Sequence, residues 1–186
     1  AMQPYPPLGT MYAASWLRQH GYDVALFDAM LAESEEEWAV ALDEHQPRCA
    51  IIYEDNFNYL SKMCLLRMRE AAFKMIRMAK SRGCTVILCG ADATDHYSIY
   101  LEKGADFCIL GEGEESLLEL LNQLEGRREA SIDSILGLAY QSPPVSSLQS
   151  LNSPILSSSR RPDITDLDKL PFPAWDLVDI QKYKNI

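Results

Sequence analysis

Short apolar runs alternate with amphipathic helical stretches from Pro7 to Gly126, and this alternation constrains the fold more than any other feature of the chain. The runs DVALFD (23–28), RCAIIYED (48–55), CTVILCG (84–90) and ADFCILG (105–111) have the length of single strands. Helical periodicity fills the intervals 8–20, 33–45, 58–82, about 95–103 and 114–125, and Gly21, Gly83, Gly104 and Gly126 stand where helices would stop. Strand and helix in alternation predict an α/β fold, a doubly wound and mostly parallel sheet with helices on both faces. ILGLAY (135–140) reads as one more strand, placed at an edge because a polar, proline-bearing segment follows it.

The helical faces are legible in outline. Leu8, Met11, Tyr12, Ser15 and Trp16 share one side of the first helix; Leu60, Cys64, Met68, Ala71, Met75, Met78 and Ala79 lie near one face of the longest. Lys62, Arg67, Arg69, Lys74, Arg77, Lys80 and Arg82 fall mostly outside that face and read as a solvated surface. One strand is missing from the pattern. The first helix follows MQPYPP, whose three prolines exclude a central strand, yet a parallel unit needs a strand before that helix. We therefore expect a strand upstream of Ala1, lying between strands present here.

Charge and cysteine usage narrow the function. With 27 acidic and 17 basic side chains and a formal charge of -10, the surface repels phosphate backbones on average, so nucleic acid is not an expected partner. No apolar run reaches the ~18 to 20 residues of a membrane span, and no signal peptide opens the chain, so a cytoplasmic location and no membrane partner are expected. The five cysteines have no C-x-x-C spacing and read as reduced thiols, which leaves no metal site of their own.

After Gln141 the composition changes. Eight of the eighteen residues from Ser142 to Ser159 are serine and three are proline, the mark of a surface loop or irregular hairpin. The segment DITDLDKLPFPAWDLVD then reads as a strap, with Pro171 and Pro173 stiffening it and Trp175 as an apolar anchor.

In an open parallel sheet a ligand sits beyond the C-terminal strand ends, so the residues after each run carry the candidate site. The first group is Glu54, Asp55 and Asn56, with Asn56 or Asn58 also able to cap the long helix. The second is Gly90, Ala91, Asp92, Ala93 and Thr94, where small residues permit close approach and Thr94 or Asp95 caps the next helix. His96, inside that first turn, reads as a surface or capping side chain. The third is Gly111, Glu112, Gly113 and Glu114, whose glycines would expose backbone N–H groups at a helix start. Three glutamates in four positions disfavour a free phosphate there and favour a large ligand rich in amides. No G-x-G-x-x-G, phosphate loop or G-x-S-x-G elbow occurs, and no residue is assigned as catalytic.

These strand-end pieces, YPPLGTMYAASWLRQHGYDVALFDA, GCTVILCGADAT, GADFCILGEGEESLLELL, ILGLAY and DITDLDKLPFPAWDLVD, resemble the N-terminal cobalamin-binding domain of cobalamin-dependent radical S-adenosylmethionine enzymes. They run in that family's order over nearly the whole chain. The resemblance implies a Rossmann-like domain over residues 1–141, a Ser/Pro-rich loop over 142–162, and a linker over 163–186 toward a radical barrel in the same polypeptide. It implies cobalamin as the ligand, with Pro7, Leu8 and Gly9 joining the strand-end residues as contacts. It places the [4Fe-4S] cluster and S-adenosylmethionine outside this chain, which has no CxxxCxxC motif. Asp92 stands where the family often has histidine, and no D-x-H-x-x-G occurs, so cobalamin without a histidine ligand from this chain is implied. The implied activity is methyl transfer to an unactivated carbon or phosphorus centre, or a related cyclisation or ring contraction, by the full-length enzyme; this chain alone is not expected to be catalytic. The competing expectation is a stand-alone cobalamin-binding or regulatory module.

Overall fold

The computed structural model describes residues 5–54, 62–142 and 153–184, with side chains from 66 onward in the long helix. They divide into two compact units, one formed by Ala1–Arg48, Asp55–Cys84 and Ile164–Ile186, the other by Cys49–Glu54 and Thr85–Asp163.

The first unit is helical. Helix α1 (Leu8–Gln19) buries Met11, Ala13, Ala14 and Leu17. The buried stripe is thus rotated from the expected one: Leu8 is 44% exposed, and the small Ala13 and Ala14 side chains are the ones that let neighbours approach. Helix α2 (Glu36–His45) packs on α3 (Lys62–Lys80) through Trp38, whose indole N–H donates to the Met75 carbonyl at 3.2 Å. The described stripe on α3 is Ala72, Ile76 and Ala79, while Met68, Met75 and Met78 flank it half-buried. The basic residues do more than meet water. Arg67 and Lys74 converge on Glu35 at 2.5 and 3.4 Å, and Arg82 grips Asp43 with two contacts of 2.6 and 2.8 Å.

Residues 23–28 form no strand among the described residues, contrary to the periodicity. Half-buried Tyr22, Val24 and Leu26 alternate with exposed Asp23 and Ala25, yet no strand pairs with the segment among the described residues. The C-terminal strap folds back within this unit. The Ala174 N–H donates to the Met11 carbonyl, Asp176 takes a bidentate contact from Arg18, and the Tyr183 hydroxyl donates to Asp28. Burial and that aspartate push the Tyr183 phenol up from its ordinary value. Ala174 and Tyr183 are the buried anchors here; Trp175, expected in that role, is 49% exposed.

The second unit is a five-stranded sheet in the order β1 (Cys49–Tyr53), β2 (Thr85–Cys89), β3 (Phe107–Ile109), β4 (Leu138–Gln141), β5 (Ile155–Ser157). The first three strands are parallel, with Ile51 opposite Ile87 and Leu88 opposite Cys108. β4 and β5 add antiparallel. Helix α4 (Ala91–Glu102) links β2 to β3, and α5 (Glu114–Leu124) follows β3. Val86, Ile87, Leu88, Cys108, Ile109, Leu117, Leu120 and Leu138 form the core. β4 is not the edge that its polar sequel predicted. The chain turns back after it, and Ile155–Ser157, preceded by a proline with no N–H to donate, takes the edge instead. Among the described residues no helix is long and apolar enough to cross a membrane.

Candidate functional site

The C-terminal ends of β1, β2 and β3 bring Glu54, Gly90–Thr94 and Gly111–Glu114 together in the sheet unit. Pro7, Leu8 and Gly9 belong to the helical unit, where Pro7 is buried and its carbonyl accepts from the Met11 N–H that begins α1. Asp55 and Asn56 lie outside the described residues, as does Asn58.

Gly90 has φ +133° and ψ 177°, which admits an abrupt turn directly into α4. The helix therefore starts at Ala91, four residues earlier than its periodicity indicates, with no side-chain cap from Thr94 or Asp95. His96, with φ −131°, kinks it. Asp92 consequently sits in the first helical turn, where a carboxylate meets the positive helix end, and it is buried. Tyr100, two turns on and fully buried, donates its hydroxyl toward Asp92 Oδ2 at 2.5 Å and Glu54 Oε1 at 2.8 Å. Glu54 Oε2 also accepts from the Ala93 N–H at 3.1 Å. Burial, then the nearby Glu54 and Asp92, push the phenol far above its ordinary range and keep it a donor.

Thr94 couples the second and third strand ends. Its hydroxyl donates to the Gly90 carbonyl at 2.7 Å and accepts from the Gly111 N–H at 3.0 Å. The Gly111 N–H, expected to face a ligand, is therefore spent inside the chain. Glu114 is partly buried at the start of α5 with the Tyr53 hydroxyl 3.5 Å away; burial raises its carboxyl above the usual carboxylate value. Glu115 turns instead to Arg161. Cys89 and Cys108 line the strands beneath, and burial pushes both thiols up, Cys108 to about 12, so neither is a nucleophile at neutral pH.

Each glycine at the strand ends faces a side chain of this same unit. A Cβ on Gly90 would fall 2.5 Å from the Glu54 Cβ; one on Gly111 would fall 2.9 Å from the Arg160 Nε; one on Gly113 would fall 3.2 Å from the Tyr53 hydroxyl. Gly113 has φ −96°, so Tyr53 rather than backbone strain accounts for the small residue. Tyr53, Tyr100, Arg160 and Arg161 were not among the sequence candidates. The signals available were Tyr100 at i+8 from Asp92, on the same helix face, and the basic pair that ends the serine-rich stretch. No group of three metal-ligating side chains occurs among the described residues.

No protein-family profile matches the chain. It is 27% identical over 183 residues to an uncharacterized methyltransferase of Pyrococcus horikoshii, covering 96% of this chain and 35% of that protein. It is 26% identical over 184 residues to the anaerobic magnesium-protoporphyrin IX monomethyl ester cyclase of Synechocystis sp., covering 96% and 33%. The chain thus spans about a third of the length of the curated relatives it matches. Among solved structures it matches the cobalamin-dependent S-adenosylmethionine radical enzyme OxsB, determined with aqua-cobalamin bound, with a TM-score of 0.71, 16% identity, and coverage of 98% of this chain and 23% of that one. It also matches the radical S-adenosylmethionine methyltransferase TsrM from Kitasatospora setae, determined with tryptophan and a SAM analogue, with a TM-score of 0.62, 18% identity, and coverage of 75% and 26%. These structural likenesses establish the α/β fold, and the solved neighbours are of the enzyme class to which the strand-end motifs pointed.

Proposed function

We propose that this chain is the cobalamin-binding part of a cytoplasmic cobalamin-dependent radical S-adenosylmethionine enzyme, a methyltransferase or a related cyclase. The observation that carries the reading is the agreement of independent likenesses over nearly the full chain: sequence relatives that are a methyltransferase and a cyclase, and a fold neighbour that holds aqua-cobalamin. The whole protein's activity, its [4Fe-4S] cluster and its S-adenosylmethionine belong to the two thirds of the relatives' length that this chain does not span.

The residues at the strand ends fit a corrinoid, a broad ring rimmed with amide groups. The open side of Gly111 holds a side chain that is itself 64% exposed and can move aside. His96, at the kink of α4, keeps a buried Nδ1 with no hydrogen-bond partner among the described atoms, a place for an amide to bond. When bound, cobalamin supplies a cobalt centre able to carry a methyl group. The chain's own work is holding and orientation: Thr94 fixes two strand ends, Tyr100 braces Glu54 and Asp92 from behind, and Ala91 and Glu112 stay exposed toward a ligand. Glu54 and Asp92 thereby act through the brace rather than as free contacts.

The strap supports the same reading of domain order. Phe172, held between two prolines, is 91% exposed, and Leu167 is exposed beside the preceding turn. In this reading the exposed Phe172 and Leu167 side chains are available to pack against the proposed barrel. The described strands pair with one another without a gap, so the expected upstream strand does not lie between them; we place it instead at the outer edge of β1, which has no strand partner among the described residues. The test is to purify the full polypeptide anaerobically, add hydroxocobalamin, and measure corrinoid absorbance per chain after gel filtration. About one corrinoid per folded chain is expected; a folded protein that elutes without any refutes the proposal.

A further inference from the structure

Ser159 to Asp163 approach the third strand end in a way that gives two neighbouring arginines different tasks. Arg161 is only 13% exposed and is held at three points: its Nε donates to Ser116 Oγ at 2.9 Å, and its two Nη atoms reach Glu115 at 3.1 Å and Glu119 at 2.8 Å. The Ser159 carbonyl accepts from the Gly137 N–H at 2.8 Å, and the Ser158 N–H donates to the Leu138 carbonyl at 2.9 Å. The backbone on this stretch is therefore fixed against α5 and β4. Arg160 lies against Gly111, with its Nε, Cγ and Cδ 2.9, 3.5 and 3.6 Å from where a Cβ would stand. Its guanidinium keeps one exposed ion pair, to Asp163 at 3.2 Å, a contact worth little in water and easily exchanged for a better partner.

A guanidinium has donors and no acceptor, and its planar fork matches a phosphate oxygen pair. The surrounding loop carries Glu112, Glu114 and Glu115, which alone would reject an anion. A cation tethered over Gly111 reverses that preference at one spot. Resting on the cobalamin reading above, we propose that Arg160 is a specificity residue that reads the phosphodiester of the corrinoid's nucleotide loop, the one anionic group on the periphery of cobalamin. The site would thereby select the complete corrinoid over one lacking its nucleotide.

The experiment compares hydroxocobalamin with diaquacobinamide, which lacks the phosphodiester and nucleotide, by absorbance titration of the full polypeptide. The unaltered protein and the variants Arg160→Gln and Arg160→Lys are titrated in parallel, with folding checked by circular dichroism. The expected result is roughly tenfold or greater weakening of cobalamin binding in Arg160→Gln, partial recovery in Arg160→Lys, and cobinamide binding unchanged across all three. Equal weakening of both corrinoids, or no change in either, overturns the assignment of Arg160 and leaves the cobalamin reading standing. Failure of the unaltered, folded protein to bind either corrinoid overturns the cobalamin reading itself.

Discussion

Replacing Gly90 with alanine tests whether the turn between β2 and α4 is built around the absence of a side chain. Gly90 has φ +133° and ψ 177°, a conformation that costs an L residue about 1 to 3 kcal/mol. The new methyl group would also stand 2.5 Å from the Glu54 Cβ and 3.0 Å from the Glu54 carbonyl oxygen. Neither atom is the free end of a side chain, so the end of β1 must shift, and overpacking of this kind adds about 1 to 3 kcal/mol. Reduced freedom of the unfolded chain returns about 0.4 to 1 kcal/mol. The net loss is about 1 to 6 kcal/mol, a large share of the ~5 to 15 kcal/mol that holds a domain together. Gly126→Ala supplies the control: it too has positive φ, +68°, but nothing lies within 4 Å of its Cβ position, so its loss should stay within about 1 kcal/mol. Native-state hydrogen exchange of the β2 amides reads local opening free energy without requiring a single global transition. If Gly90→Ala lowers β2 protection by under 1 kcal/mol, or by no more than Gly126→Ala does, the reasoning from Glu54 contact is wrong.

Two further outcomes follow from the same strand ends. Glu114 has its carboxyl raised by burial, so the folded state holds that proton more tightly than the unfolded one; stability is greatest below the ordinary glutamate value and falls as pH rises through the raised one. Glu114→Gln should remove that fall, making the variant relatively more stable at pH 7 than at pH 4 when thermal unfolding is compared across pH; an identical pH profile for both proteins would contradict it. Tyr100→Phe removes the hydroxyl that serves both Glu54 and Asp92, and should cost about 1 to 3 kcal/mol by loss of a buried donor, visible as faster exchange at the start of α4; unchanged exchange there would show that the brace contributes nothing.

The sequence made the strand and helix order of the sheet unit readable because burial on both faces gives CTVILCG and ADFCILG continuous apolar runs that little else explains. DVALFD shows where that signal stops. Its alternation survives as alternating exposure, but a strand exists only with a partner, and pairing is a property of other segments. The loops fall at the strand ends where the sequence placed them, while the contacts their residues make within the chain were not legible. Asp92 read as a ligand-facing residue, yet its orientation depends on a helix starting at Ala91 and on Tyr100 two turns later. The Gly111 N–H read as available, and a hydroxyl from Thr94 had already taken it. Arg160 and Arg161 escaped notice because a serine-rich surround offers no periodicity, and what distinguishes them is contact with residues some 45 positions away.

The strap that returns to α1 also sets the order of events at the ribosome. Arg18 meets Asp176 across 158 residues of chain, and Asp28 meets Tyr183 across 155. At ~5 to 20 residues per second, α1 emerges roughly ten to thirty seconds before the residues that complete its packing. During that interval the Met11 carbonyl and the apolar stripe beside it lack their final cover, and a contact closing so long a loop forms late and slowly. The contacts of the strap with α1 and Asp28 can therefore close only after the last residues of the strap have been made.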